Sequence, residues 1–327
     1  MQRRSLLLAK FAALALLAVP IAPYAVAAAP TPSEQTLAAV RALQADDARL
    51  LAIGFRLATA NAPFCAETRP ATGLLLIDAA TYKSAAAIRT AWGIIGDFAV
   101  EAIAPGSPAA AAGIVPGQEV LAIAGHAVSG TSFGPAGAAD RVDKIFDGLE
   151  DAIVAGGKAA LATPLRTVEL GGVPACRSRF ELLTDGSGAR ADGRKVQISR
   201  KLFAQGAGDS EAAFVVAHEL AHNVLRHRAR LAAEGRSGAN VRATEREADR
   251  LAVWLMANAG YDPAAAPRFL RRWGAKGLLS LFQEPSHDRA EARARLVEDE
   301  IASLSDETLR DWRSRFIRYQ PEPRTSR

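Results

Sequence analysis

The sequence predicts an α+β protein that is mainly helical, with a small β-hairpin or sheet and one inserted β-rich segment. Apolar residues recur at helical spacing between Ser33 and Asn61, and the pattern after Asp209 is helical almost throughout. Between about residues 91 and 171, short apolar runs alternate with Gly and Pro, as in strands joined by turns. These observations place a β-rich segment between two helical regions.

The first 27 residues predict a secretory signal peptide. Residues 1–4 form a short basic n-region with two arginines, residues 11–19 form an apolar core, and Ala25-Val26-Ala27 offers a cleavage site. The alternative is a membrane anchor, but the apolar run is shorter than the roughly 20 residues that a spanning helix needs. We therefore expect export, to a bacterial periplasm, and no transmembrane segment in the mature chain.

The helical regions are predicted on both sides of the β-rich segment. Residues 33–61 indicate one long helix or a pair of helices, followed by a short strand over 73–77 and a helix over 81–90. Downstream, residues 179–183 and 195–199 predict the two strands of a β-hairpin, with its turn at 185–193. The helices that follow are broken where Gly and Pro cluster, at 235–238, 260–263, 274–277 and 284–287.

Composition and charge narrow the classes of function. The chain has 327 residues, of which 49% are hydrophobic and 23% charged, as in a globular protein and unlike a disordered or collagen-like chain. Three residues of the predicted signal peptide (Arg3, Arg4 and Lys10) supply much of the net charge of +5. The sequence has no basic run interleaved with aromatic residues, so it does not predict nucleic-acid binding.

Two cysteines, Cys65 and Cys176, are present. An exported protein meets an oxidising compartment, so we expect a disulfide between them, the alternative being two separate buried thiols.

The strongest motif is His218-Glu219-Leu220-Ala221-His222, an H-E-x-x-H sequence on a predicted helix. Histidines four residues apart lie on one face of a helix, so both can bind one Zn²⁺ per chain. Glu219 can reach the same side and accept a proton from water. The alternative is a pair of surface histidines on an amphipathic helix, which the apolar flanks disfavour.

Catalytic zinc sites use a third protein ligand. The downstream candidates are Glu245, Glu247, His227 and His287. A helix that carries Glu245 and Asp249 on one face can present a carboxylate to the metal, while Asp249 holds a ligand histidine. The alternative for residues 245–250 is a solvated charged face.

A second motif, E-x-x-A-D, follows H-E-x-x-H and reads Glu245-Arg246-Glu247-Ala248-Asp249. With these two motifs the chain resembles the gluzincin metallopeptidases of the HtpX-like and CaaX prenyl protease family. The resemblance covers about residues 175–300, includes the helix at 33–61, and favours the soluble, exported branch. It implies that Glu245 is the third zinc ligand and that Asp249 supports the site. It also implies that one strand of the predicted hairpin forms the rim of the substrate cleft.

Residues 286–293 resemble the family's late T-H-P-x-x-x-x-R segment, with Ser286 for Thr and Asp288 for Pro. By this resemblance His287 and Arg293 lie near the zinc, where they stabilise the substrate carbonyl. His287 is also a candidate to cap the metal in a resting state, or is merely a helix cap.

The β-rich segment resembles a PDZ domain. A predicted strand is followed by Gly106-Ser107-Pro108-Ala109, then by Ala112-Gly113-Ile114 and a strand pair, which is the order of these parts in bacterial PDZ domains. The resemblance implies a groove helix at 140–154, a closing strand at 166–170 and a peptide-terminus loop at Trp92-Gly93-Ile94. The groove is expected to capture a substrate or partner peptide. The alternative is a structural insert that shields the cleft.

Together these features predict an exported zinc metalloendopeptidase that acts on envelope or misfolded proteins. Its expected parts are residues 1–27 as the signal peptide, 28–90 and 172–327 as the peptidase domain, and 91–171 as the PDZ-like domain. Two other readings stay open. In one, the chain is a periplasmic quality-control binding module that acts through the PDZ-like groove, with latent or weak proteolysis. In the other, the zinc is purely structural.

Overall fold

The computed structural model describes residues 33–130, 132–206, 208–275, 289–304 and 310–320. The predicted signal peptide and His287 lie outside the described residues. Within these ranges the chain is 49% helix and 17% sheet, consistent with the predicted α+β class. No helix in the described part of the chain combines the length and the apolar character needed to cross a membrane.

Ten α-helices occur in these ranges: α1 Glu34–Ala60, α2 Ala85–Trp92, α3 Pro108–Ala111, α4 Arg141–Gly156, α5 Arg200–Phe203, α6 Asp209–Val224, α7 His227–Glu234, α8 Gly238–Asn258, α9 Ala265–Ala275 and α10 Ala290–Ile301. The described strands are β1 Thr68–Ala71, β2 Leu74–Asp78, β3 Phe98–Ile103, β4 Ala122–Ile123, β5 His126–Ala127, β6 Ala159–Ala162, β7 Thr167–Leu170, β8 Val173–Cys176, β9 Arg179–Leu183, β10 Ala189–Ala191 and β11 Lys195–Ser199.

The largest core surrounds α6, which packs against α1, α8 and α9. Helix α6 is apolar on almost every side, and its alanines at 213, 217 and 221 are fully buried four residues apart. Ala248 and Ala252 repeat this spacing on α8. Small side chains let the two helices approach closely, which holds the H-E-x-x-H motif against the acidic motif on α8.

The predicted hairpin over 179–199 is wrong, because its two strands run parallel. Strands β9 and β11 pair in parallel, and β10 pairs with β11 in antiparallel, giving the order β10-β11-β9. Parallel neighbours cannot be joined by a tight turn, and residues 184–194 provide the longer connection. Strand β10 lies within the predicted turn. It was not predicted as a strand because its short Ala-Arg-Ala sequence has little β propensity. Lys195–Ser199 is therefore the central strand of this sheet, and β10 is an edge.

The β-rich segment has its own core, built from the sheet β5-β4-β6-β7, the pair β2-β3 and helix α4. Leu74 and Leu76 of β2 belong to this core, although they precede the expected boundary at residue 91. Strands β1 and β8 pair at the base of the segment, and the disulfide Cys65–Cys176 lies beside them with a Cα–Cα distance of 5.4 Å. The segment thus leaves and rejoins the helical core through two paired strands.

Candidate metal centre

Helix α6 carries His218, Glu219 and His222, all in its C-terminal half. Asp209 and Glu211 lie in its first turn, where negative charge is favoured by the helix dipole. At its other end the Asn223 amide nitrogen donates to Lys195 O at 3.0 Å, and its amide oxygen accepts from Gly193 N at 2.7 Å. These bonds fix the motif helix to the sheet.

Helix α8 carries Glu245 and Asp249, and it begins at a conventional cap. The Ser237 hydroxyl accepts a hydrogen bond from Asn240 N at 3.2 Å, which satisfies a free amide of the first turn. Two turns later, Glu245 faces α6 across the closely packed helix pair.

Two histidines and one carboxylate converge between these helices. Nε2 of His218 lies 3.2 Å from Nε2 of His222 and 3.2 Å from Oε2 of Glu245, and Nε2 of His222 lies 3.4 Å from Oε1 of Glu245. One ligand atom from each of the three residues lies within 4.8 Å of the others. Imidazole and carboxylate are the donors that catalytic zinc sites use, so this set of residues fits Zn²⁺.

The carboxylate of Asp249 supports His218 from behind. It accepts from Nδ1 of His218 at 3.0 Å, and Arg293 donates to its two oxygens at 2.7 Å each. Burial alone lowers the pKa of His218, but the hydrogen bonds to Asp249 and Glu245 outweigh it and raise the pKa to about 10. Burial raises the pKa of Asp249, but the charge of Arg293 prevails and holds that pKa below its usual value.

The ring of His222 is surrounded differently. Burial and the charge of His218 lower the pKa of the His222 ring to about 3, while the charge of Glu245 acts in the opposite direction. Its Nδ1 lies 2.9 Å from Nδ1 of His227, whose Nε2 lies 3.1 Å from Oε2 of Glu247. Glu247 and His227 were candidates for the third ligand, but the structure places Glu245 in the cluster and these two residues behind His222.

Glu219 is buried beside the cluster, with a relative exposure of 5%. Burial raises the pKa of its carboxyl to about 7, while the charge of His218 acts in the opposite direction. A carboxylate with a pKa near the working pH can both accept and return a proton.

The structure places Arg293 behind His218, where its guanidinium is 7% exposed and paired with Asp249. Contact with a substrate carbonyl would require it to leave a buried carboxylate. The geometry therefore favours a positioning role over the expected contact with the carbonyl. The hydrogen bonds of Asn223 were not predicted, and the signal for them was an amide side chain directly after the second histidine of the motif.

A cavity of about 390 Å³ lies between the β-rich segment and the helical core. Strand β2 contributes Leu74 and Leu75, helix α4 contributes Phe146, and β9 contributes Phe180. Arg179 of β9 lies at this cavity and binds α4 through Asp147 at 2.6 Å and Glu150 at 2.9 Å. Residues 69–73 line this cavity, whereas the expected peptide-terminus loop at residues 92–94 does not.

Comparison with known families adds one finding. Residues 186–237 match the model of Peptidase family M48, and this match contains β10, β11, α6 and the whole H-E-x-x-H motif, but ends before Glu245. No curated protein matches the chain. The match and the His218, His222 and Glu245 cluster together support a metallopeptidase of the M48 gluzincin type.

Proposed function

We propose that the chain is an exported zinc-dependent metalloendopeptidase that hydrolyses peptide bonds of envelope or misfolded proteins. The observation that carries this proposal is the convergence of His218 Nε2, His222 Nε2 and the Glu245 carboxylate next to the buried Glu219. A structural zinc site would usually have four Cys or His ligands and would not need an adjacent base.

His218, His222 and Glu245 would hold the zinc. When bound, zinc in such a site polarises a carbonyl and lowers the pKa of water. Glu219 accepts a proton from the attacking water as the water oxygen bonds to the scissile carbonyl carbon. It then donates that proton to the leaving amine nitrogen as the C–N bond breaks.

Asp249 and Arg293 act on this chemistry through His218. A carboxylate that accepts from Nδ1–H leaves Nε2 of the same ring with its lone pair directed to the metal. Arg293 in turn fixes both oxygens of Asp249. We assign both residues a positioning role, while a contribution of His287 to the site stays a prediction.

We further propose that the β-rich segment is a PDZ-like domain whose groove lies between β2 and α4. The cavity beside β2 supports this location, and in the described residues β2 pairs through one edge only, with β3. An extended peptide can pair with the other edge of such a strand.

Amide hydrogen exchange of the whole chain tests the groove. A peptide with an apolar C-terminal residue is expected to slow exchange in β2 while leaving β6 unchanged. Exchange in β2 that is unaffected by saturating peptide would contradict this location.

The peptidase is tested by casein cleavage with the purified chain beside Glu219→Gln, with the zinc content of both determined. We expect zinc in both proteins and cleavage by the wild type alone. Zinc with no cleavage by either, together with retained peptide binding, would favour the alternative of a quality-control binding module. Absence of zinc from both would refute the proposed site.

A further inference from the structure

His227 touches the ring nitrogen of His222 that does not face Glu245. The two Nδ1 atoms are 2.9 Å apart, and the ring centroids are 4.9 Å apart with planes at 81°. His227 is only 1% exposed, so water does not compete for this contact.

A break in the helix creates the contact. In an uninterrupted α-helix, residues five apart point about 140° away from each other. Here α6 ends at Val224, Arg226 adopts a left-handed conformation with φ of 60°, and α7 begins at His227. A non-glycine residue is seldom found in this conformation, and at this position it turns the chain so that His227 returns to His222.

The other ring nitrogen of His227 contacts the carboxylate of Glu247, which Arg230 holds in place. Nε2 of His227 lies 3.1 Å from Oε2 of Glu247. Arg230 donates from one guanidinium nitrogen to both oxygens of Glu247, at 3.2 and 3.1 Å. Glu247 is therefore fixed between an imidazole and a guanidinium.

Only one arrangement of protons is compatible with these contacts and with metal binding through Nε2 of His222. Nε2 must then carry the lone pair, so the proton of the His222 ring is on Nδ1. That proton can only be donated to Nδ1 of His227, so the proton of the His227 ring is on Nε2. From there it is donated to Glu247.

The geometry points to His227 as a positioning residue that connects Glu247 to the zinc ligand His222 through a second imidazole. This inference rests on the proposed zinc site. It makes the surroundings of the two ligand histidines equivalent in kind: Asp249 with Arg293 orients His218 directly, and Glu247 with Arg230 orients His222 through His227. Partners of this type usually change metal affinity by about 10- to 100-fold when they are removed.

The test is the zinc dissociation constant of the full chain, measured by competition with a chelator, together with the visible spectrum of the Co²⁺ form. His227→Phe removes both hydrogen bonds and is expected to weaken zinc binding about 10- to 100-fold and to change the Co²⁺ spectrum. His227→Gln can still accept from His222 and donate to Glu247, so it should recover most of the affinity. His126→Gln, at an exposed histidine of β5, is the control and should bind zinc as the wild type does.

Equal zinc affinity in wild type and His227→Phe would overturn the inference and leave the proposed function intact. Equal loss in His227→Phe and His227→Gln would also overturn it, because hydrogen bonding would then not be what matters. If His227→Phe does not fold, Glu247→Ala decides, since that side chain is 34% exposed and its loss removes the acceptor for Nε2 of His227. Wild-type affinity in this variant would refute the relay. A wild type that binds no zinc would overturn the proposed function itself, and the inference with it.

Discussion

Asp47 on α1 and Glu101 on β3 form a hydrogen bond between two carboxyl groups where the helical core meets the β-rich segment. Glu101 is 7% exposed, and burial raises its pKa well above the usual value for a carboxyl. Burial likewise raises the pKa of Asp47 to about 7, against its hydrogen bond to Glu101. Two acids in this position must share a proton to remain buried together.

The shared proton predicts a stability that falls as pH rises. In the unfolded chain Asp47 loses its proton near pH 4, whereas in the folded protein it keeps the proton up to about pH 7. Between these values the folded state binds more protons, so the free energy of unfolding decreases with increasing pH. Urea unfolding at pH 5 and pH 8 measures this difference.

Asp47→Asn is expected to flatten that pH dependence, because its amide donates to Glu101 without titrating. Glu34→Gln is the control, since Glu34 is an exposed acid in the first turn of the same helix. The prediction fails if Asp47→Asn and the wild type lose the same stability between the two pH values.

The Asp47–Glu101 contact also illustrates what the sequence could not predict. Periodicity over residues 33–61 predicts the helix, and the structure has it as Glu34–Ala60. Which strand the helix contacts depends on tertiary packing between distant segments, and local periodicity carries no information about that packing. A pattern of this kind assigns Asp47 to a polar face and gives no sign of its partner.

At the metal centre, the part that was predictable is the part set by helix geometry. Residues 218 and 222 share a face because of their spacing alone. The position of His227 depends instead on the left-handed backbone conformation of Arg226. Glycine is the usual sequence signal for this conformation, and no glycine stands at this position. The parallel pairing of β9 and β11 was missed for a comparable reason, since short flanking strands with glycines between them have the same pattern as a hairpin.

The buried pair of Arg293 and Asp249 predicts a large loss of stability in Arg293→Ala. The variant leaves the Asp249 carboxylate buried without its cation, which costs about 3–5 kcal/mol in free energy of unfolding. Arg295→Ala on the same helix is the control: Arg295 is 74% exposed and pairs with Glu291, so its loss should cost less than about 0.5 kcal/mol. Equal unfolding midpoints for the two variants in guanidinium would contradict the role assigned to Arg293.

The disulfide predicts separable effects on domain arrangement and on zinc. Cys65 and Cys176 are 111 residues apart in sequence, and their bond lies where β1 and β8 join the β-rich segment to the core. Replacing both with Ser should lower the free energy of unfolding by about 2–4 kcal/mol, because the unfolded chain regains the freedom that the bond removes. None of the three cluster residues is carried by β1 or β8, so the zinc content of the folded double variant should stay near that of the wild type. Hydrogen exchange should instead rise in β1 and β8, and loss of zinc in step with that rise would show that the bond supports the metal centre directly.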